Sequence, residues 1–255
     1  MDPNGTSRTL KTTDTSLSIV EYIAENGGAR LTELAEEFDR SKATIHSHLA
    51  TLWSRGYLVR EGDTYRISLK FLHIGSIARQ GEPRYDLVRD SIDGLTERSF
   101  EEADFDVEEH GRLISLYNEV GNEPESRFRY YYMHNTAVGK AMLAEFPPER
   151  VDQIVERWGL PQTTEFTITT RADLEENLER IRERGYAWSD QEFRVGLTVV
   201  GAVVHEPDGS IFGGISLGAP VYRIEEVNFD RGMTERVLSA VDRLETTLEE
   251  YDRDD

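Results

Sequence analysis

Residues 41–60 of this 255-residue chain, SKATIHSHLATLWSRGYLVR, hold Lys42, His46, His48, Arg55 and Arg60 but no Asp or Glu, although the chain carries 49 acidic residues. Acid stands just outside the stretch, at Asp39 and Glu61. A segment cleared of carboxylates and supplied with cations and short hydroxyl side chains suits a polyanion. Lys and Arg would meet phosphates, and Ser, Thr and His would reach base edges. Ile45, Leu49 and Leu52 recur at i, i+4 and i+7, one buried stripe of an α-helix. Opposite them lie Ala43, Ser47, Ala50 and Ser54, with Thr44 and Thr51 on one flank and His46 on the other. Small and hydrogen-bonding residues on the outer face let a helix approach the major groove closely. An ordinary solvated helix face is the plainer alternative.

Other chemistry has weaker support. The six histidines, His46, His48, His73, His110, His134 and His205, are scattered, with no nucleophile paired to a base. His46 and His48 are two apart on a helix, so they point apart and do not chelate one metal. There is no Cys, which excludes disulfides, thiolate catalysis and Cys-based metal sites. The expectation is a non-enzyme without cofactor or metal. A small-molecule site is better supported. Asn135 and Thr136 precede a helix whose first amides belong to Ala137, Val138 and Gly139. Free amides and the helix dipole favour a carboxylate or other anion. The alternative is that Thr136 is only an N-cap and Gly139 only a close-packing glycine.

The elements that must position these residues follow from the flanks. Residues 15–26 read as a first helix, with Leu17, Ile19, Val20 and Ile23 apolar and Gly27-Gly28 ending it. Residues 1–13 read as a polar arm, from which Arg8 and Lys11 could touch phosphate, although a plain disordered terminus explains them as well. Residues 29–31 read as a short strand. Residues 32–38 form a short amphipathic helix with Thr32 as N-cap, and Asp39-Arg40-Ser41 turns into the long helix capped by Ser41. Gly56 ends that helix. Residues 56–60, the Glu61-Gly62-Asp63 turn and residues 64–67 then make a hairpin carrying Arg60 and Arg66.

Beyond it, residues 70–100 read as helical with a break near Gly81-Glu82-Pro83, with Leu87, Val88, Ile92 and Leu95 as the second apolar stripe. From Ala103 the period changes to two. Strands are expected at 105–107, 112–117, 127–133, 186–189, 199–205 and 211–218, and helices at 135–146, 150–158, 171–184 and 228–251. Strands interleaved with helices and hairpins suggest an antiparallel or mixed sheet with helices packed on it.

The segment LTELAEEFDRSKATIHSHLATLWSRGYLVREGDTYRISLKFLHIG resembles the winged helix-turn-helix of the IclR family of transcriptional regulators. YYMHNTAVGKAMLAEFP and GYAWSDQEFRVGLTVVGAVVHEPDGSIFGGISLGAP resemble that family's effector domain, so the resemblance spans roughly residues 15–250. It implies an α+β fold in four parts. These are a mobile arm (1–14), a winged helix-turn-helix DNA-binding domain (15–69), a linker helix (70–82) and a GAF-like effector-binding domain (83–255). It also implies DNA contacts from Lys11, Ser41, Lys42, Thr44, His46, Ser47, His48, Thr51, Arg60 and Arg66. An effector would lie among Thr136, Ala137, Val138, Gly139, Ser189, Asp190, Val199, Ser216 and Gly218. Three positions depart from the family pattern: Val199, where Cys is common, Val203, where Pro is common, and Ser47, where many members carry Arg.

Charge fits the division. Residues 1–73 hold nine basic and ten acidic residues, net −1, out of a total of −20, leaving −19 to the remainder. Lysine occurs only at Lys11, Lys42, Lys70 and Lys140, and abundant acid with scarce lysine resembles proteins of salt-accumulating haloarchaea, where salt screens self-repulsion. No apolar run approaches a membrane span and no signal peptide opens the chain, so a soluble cytoplasmic protein is expected. The reading is a regulator whose hold on double-stranded operator DNA is controlled by a small metabolite, an organic acid or sugar-derived compound, and which pairs as a homodimer or homotetramer. An enzyme built on the effector fold and a ligand-independent architectural DNA binder are the alternatives.

Overall fold

The computed structural model describes residues 9–97, 100–120, 123–124, 130–224 and 229–254. The chain divides into two units, Met1–Glu82 and Pro83–Asp255. In the first, α1 (Lys11–Glu25) starts four residues before the expected Thr15, so Lys11 belongs to a helix rather than to an arm. Asp14 in its first turn favours that start through the helix dipole. A two-residue strand, β1 (Ala29–Arg30), follows. α2 (Leu31–Glu37) is capped from Arg30, not from Thr32. The Arg30 amide donates to Glu33 Oε2 at 2.7 Å, which satisfies one of the helix's open amides. Asp39, at φ 46°, reverses the chain, and Ser41 caps α3 (Lys42–Ser54) by accepting the Thr44 amide at 3.1 Å.

β2 (Leu58–Glu61) and β3 (Thr64–Ile67) form the hairpin, and β1 joins β3 to give a three-stranded antiparallel sheet in the order β1-β3-β2. Ile19, Ile23, Ala29, Leu34, Ile45, Leu49, Leu58 and Tyr65 make one core, so α3 is fixed by the stripe its sequence displays. α4 (Lys70–Gln80) leaves the wing at Ser68. Ser68 Oγ donates to Gly56 O at 2.5 Å, and Lys70 Nζ donates to Arg55 O at 2.8 Å while lying 4.2 Å from the centre of the Tyr57 ring.

The second unit opens with a short 3₁₀ turn (Pro83–Asp86) and α5 (Val88–Ile92). The helical stretch expected to run from the Gly81-Glu82-Pro83 break to residue 100 ends at Ile92, because Asp93 leaves the helical region at φ −52°, ψ 120° and Gly94 takes φ 80°. Leu95, expected on the helical stripe, is buried beyond the helix. β4 (Glu102–Glu109), β5 (Arg112–Val120), β6 (Glu123–Pro124), β7 (Tyr130–Tyr132), β8 (Ala187–Asp190), β9 (Leu197–His205) and β10 (Ile211–Pro220) build an antiparallel sheet. Its order is β6-β5-β4-β10-β9-β8, with β7 on β5. Of the strand expected at 127–133, residues 127–129 lie outside the described residues. α6 (Ala137–Glu145), α7 (Pro148–Trp158), α8 (Arg171–Arg184), α9 (Val221–Ile224) and α10 (Phe229–Asp254) complete the unit.

Period-two alternation divides the sheet between two cores. Ala103, Phe105, Val107, Val200, Ala202, Val204, Ile215 and Leu217 pack against α5 and the Met233, Val237, Ala240, Leu244 and Leu248 stripe of α10. On the other face lie α6 and α8, with Val138, Met142, Leu174, Leu178 and Ile181 over Ala187 and Val203. Among the described residues no helix is long and apolar enough to cross a membrane.

Leu49 is fully buried between the helices of the first unit. Leu49→Ala should cost about 2–5 kcal/mol. The loss should show as a lowered denaturant midpoint for that unit, and an unchanged midpoint would place Leu49 outside its core.

Candidate nucleic-acid interface and effector pocket

The outer face of α3 is open. Lys42, Ala43, Thr44, His46, Ser47 and Thr51 are exposed. Two of the hydroxyls fold back on their own helix: Ser47 Oγ donates to Ala43 O at 3.0 Å and Thr51 Oγ1 to Ser47 O at 2.8 Å. Both can rotate outward at the loss of one local bond. Ser41 Oγ and Thr44 Oγ1 are 2.9 Å apart at the helix start. His48 faces α1, with Nδ1 2.7 Å from Ser16 Oγ, so one ring nitrogen is engaged inside the domain. On the wing, Arg60 Nε donates to Gly62 O at 2.8 Å, and Arg66 Nε pairs with Glu61 at 3.2 Å. Both arginines are half exposed, and exposed pairs of this kind hold weakly. Lys11 is exposed on α1.

The second unit holds a cavity of about 40 Å³ between the sheet and the start of α6. Its walls are Glu102, Asp104 and Asp106 from β4, Tyr131, Thr136, Val138, Ser189, Phe193, Leu197 and Val199, and Ser216 and Gly218 from β10. The register explains the grouping. Gly218 pairs with Glu102 and Val199, Ser216 with Asp104, and Ser189 with Val199, so these side chains share one face of four adjacent strands. α6 comes close to that face because β10 offers no side chain under it. A Cβ on Gly214 would stand 2.5 Å from Val138 Cγ1.

Phe193 reaches the cavity from residues 191–196, a segment tied down beneath. Lys140 of α6 is fully buried, and its Nζ donates to Trp188 O at 2.8 Å and to the Glu192 carboxylate. Burial pushes the Lys140 ammonium down and the Glu192 carboxyl up from their ordinary values, and each charge opposes the other's shift. The hydroxyls of Thr163 and Thr167 donate to Glu192 O at 2.8 and 2.7 Å, and that of Thr164 to Gln191 O at 2.8 Å. Phe193 meets Tyr131 edge to face, ring centres 4.9 Å apart. Arg194 pairs outside with Glu102 at 2.7 Å.

Comparison with known proteins bears on both sites. Residues 12–62 match the IclR helix-turn-helix domain, and residues 117–246 match the bacterial transcriptional regulator IclR C-terminal domain. A probable HTH-type transcriptional regulator, ArcR, from Halobacterium salinarum is 30% identical across 98% of this chain and 99% of its own length. This chain belongs to the IclR family. The transcriptional repressor IclR of Escherichia coli is 28% identical over 82% of this chain and 80% of its own length. The crystal structure of Thermotoga maritima IclR superposes with a TM-score of 0.64 at 23% identity, covering 93% of this chain and all of that one. The family's members are transcription regulators with a DNA-binding helix-turn-helix and a C-terminal inducer-binding domain.

Within that C-terminal domain the cavity gathers Thr136, Val138, Ser189, Val199, Ser216 and Gly218 of the expected residues. Ala137, Gly139 and Asp190 do not line it. Gly139 is a packing glycine: a Cβ there would lie 2.3 Å from Met133 O. Thr136 donates its hydroxyl to Tyr132 O at 3.1 Å and does not cap α6 through its side chain. Asp190 accepts from Thr198 Oγ1 at 3.0 Å.

Sequence reasoning missed Glu102, Asp104, Asp106, Tyr131, Phe193 and Leu197. The alternation of acid with Ala103, Phe105 and Val107 was visible, but it reads equally as a solvated strand face. No Lys, Arg or His occurs among the described lining residues.

Glu192→Ala leaves the Lys140 ammonium buried without its counter-charge. Removing one partner of a buried pair costs on the order of 3–5 kcal/mol. Chemical denaturation of the wild-type and variant chains reads that loss, and a change below about 1 kcal/mol would mean that the pair behaves as an exposed one.

Proposed function

We propose that α3 lies in the major groove of operator DNA, with Ala43, His46 and Ser47 toward base edges. Ser41, Lys42, Thr44, Thr51, Lys11 and the wing arginines Arg60 and Arg66 hold phosphates. The observation that carries this reading is the exposed, acid-free outer face of α3 on a helix whose inner residues Ile45 and Leu49 are fully buried. His48 is left out of the set because Ser16 holds its ring. The small-molecule effector occupies the β4–β10 cavity of the second unit and controls operator binding. An open cavity, in place of a filled one, favours this over a ligand-independent architectural role. The working location is the cytoplasm, where the operator is.

Ser47→Glu places a carboxylate against phosphates and base acceptors and should abolish operator binding in a gel shift while circular dichroism stays native. Lys42→Ala should weaken specific and random DNA alike and lower the salt slope by about one unit. Full operator affinity in a folded Ser47→Glu protein rejects the placement, and a loss confined to the specific site would make Lys42 a base reader.

The chain pairs through α4. This helix buries none of its residues, and Leu69, Leu72, Ile74 and Ile77 are exposed on it or at its start. Exposed apolar residues gathered on one element mark an interaction surface. The double variant Leu72→Glu, Ile77→Glu should scatter light as a single subunit. An undiminished oligomer mass would move the pairing surface elsewhere.

A further inference from the structure

We propose that Phe193, Arg194 and Val195 form the door of this cavity, closed by the ion pair between Arg194 and Glu102, and that an effector enters when that pair parts and Phe193 swings aside. The door serves an effector only if the cavity is the effector site, and to that extent it rests on that reading.

The other walls are ill suited to opening. Ser189, Val199, Ser216 and Gly218 stand on β8, β9 and β10, and these strands are paired through the lining positions, β10 also with β4. Parting any two of them breaks several ladder hydrogen bonds at once. α6 is seated too closely to slide, since a Cβ on Gly214 would stand 2.5 Å from Val138 Cγ1. Phe193 belongs to neither a helix nor a strand, yet it lines the cavity.

The segment that carries Phe193 is firm at its base and weakly held at its tip. The Gln191 amide donates to Leu197 O at 2.9 Å and closes the neck. Glu192 O accepts from the Thr163 and Thr167 hydroxyls, and the Glu192 carboxylate holds the buried Lys140. Beyond that anchor, Phe193 meets the edge of Tyr131, Arg194 reaches Glu102 at 2.7 Å, and Val195 is 61% exposed. The Arg194 side chain is half exposed, and exposed pairs hold weakly. Backbone turning points stand on both sides of the tip, Gln191 at φ 58° and Gly196 at φ 82°. A non-glycine residue in the left-handed region is uncommon, and such positions gather at ligand clamps and switch segments. A Cβ on Gly196 would meet nothing within 4 Å, so the space around that hinge is open. A weak tip over a fixed base opens locally, without unseating Lys140. Closed, the cavity of about 40 Å³ holds roughly three water-sized units, and a larger guest needs the tip displaced.

The chain has no Cys, so Ser216→Cys puts a single thiol in the cavity wall. The full-length variant is treated with methyl methanethiosulfonate, a small uncharged thiol reagent, and labelling is followed by mass. At low reagent the rate follows the fraction of molecules that are open. Adding Arg194→Ala should speed labelling about threefold to fivefold, as expected for loss of an exposed ion pair in the upper part of its range. Adding Phe193→Ala should speed it as well. A thiol on the surface of α10, from Thr246→Cys, should label equally fast with and without Arg194→Ala. A rise of less than about twofold with Arg194→Ala overturns the door. An acceleration matched by a lowered denaturant midpoint also overturns it, because the reagent then enters by unfolding. If Ser216→Cys does not fold, Val199→Cys places the thiol in the same wall. Labelling reads the door alone, whereas release of operator DNA by a metabolite in a gel shift reads the effector site, so the two fail separately.

Discussion

The seat of α6 on the sheet governs the second unit. Val138 lies directly over Gly214 of β10 and Gly201 of β9, and a Cβ at either position would drive the helix away. Because α6 comes so close, Ala137 and Gly139 are used for packing and only Thr136 and Val138 reach the cavity. Lys140, two residues on, is fully buried, and that lysine holds the carboxylate of Glu192. Glu192, whose carbonyl also accepts from the hydroxyls of Thr163 and Thr167, fixes the segment that brings Phe193 to the cavity. The cavity remains where the helix has ended but the sheet continues, over Ser216, Gly218 and Val199. Two glycines and one buried ion pair thus set the shape of the pocket without lining it.

The two units handle acid in opposite ways. The first keeps its net charge near zero and carries no carboxylate on α3, which suits the proposed DNA-facing surface, since negative charge there would weaken binding. The second carries nearly all of the excess acid. Part of that acid is used structurally: Glu101 is fully buried and holds Arg236 of α10 at 2.9 Å, and Glu119 accepts the Thr96 amide at 3.2 Å. A further part lines the cavity. The acidity of this unit is therefore more than a solvating coat, although composition alone suggests one.

The sequence by itself determined the reader module. Its helices, turn and wing follow from local signals, namely the Ile45, Leu49, Leu52 stripe, Ser41 as cap and Gly62 in the hairpin, each acting over a few residues. It also determined the two-unit order, most strand positions and six of the cavity-lining residues, the last through resemblance to the family. Boundaries slipped where competing caps existed, as at Lys11 against Thr15 and Arg30 against Thr32. Only the tertiary structure decided what covers each face of the sheet. Alternation along β4 says that Glu102, Asp104 and Asp106 share a face, but not whether water or α6 lies over it. That depends on the pairing of β4 with β10, residues more than a hundred apart in the chain, and on the glycines that let a helix descend there. Likewise His48 shares the cationic segment with His46, yet a turn of 100° per residue sends one ring toward Ser16 and leaves the other exposed.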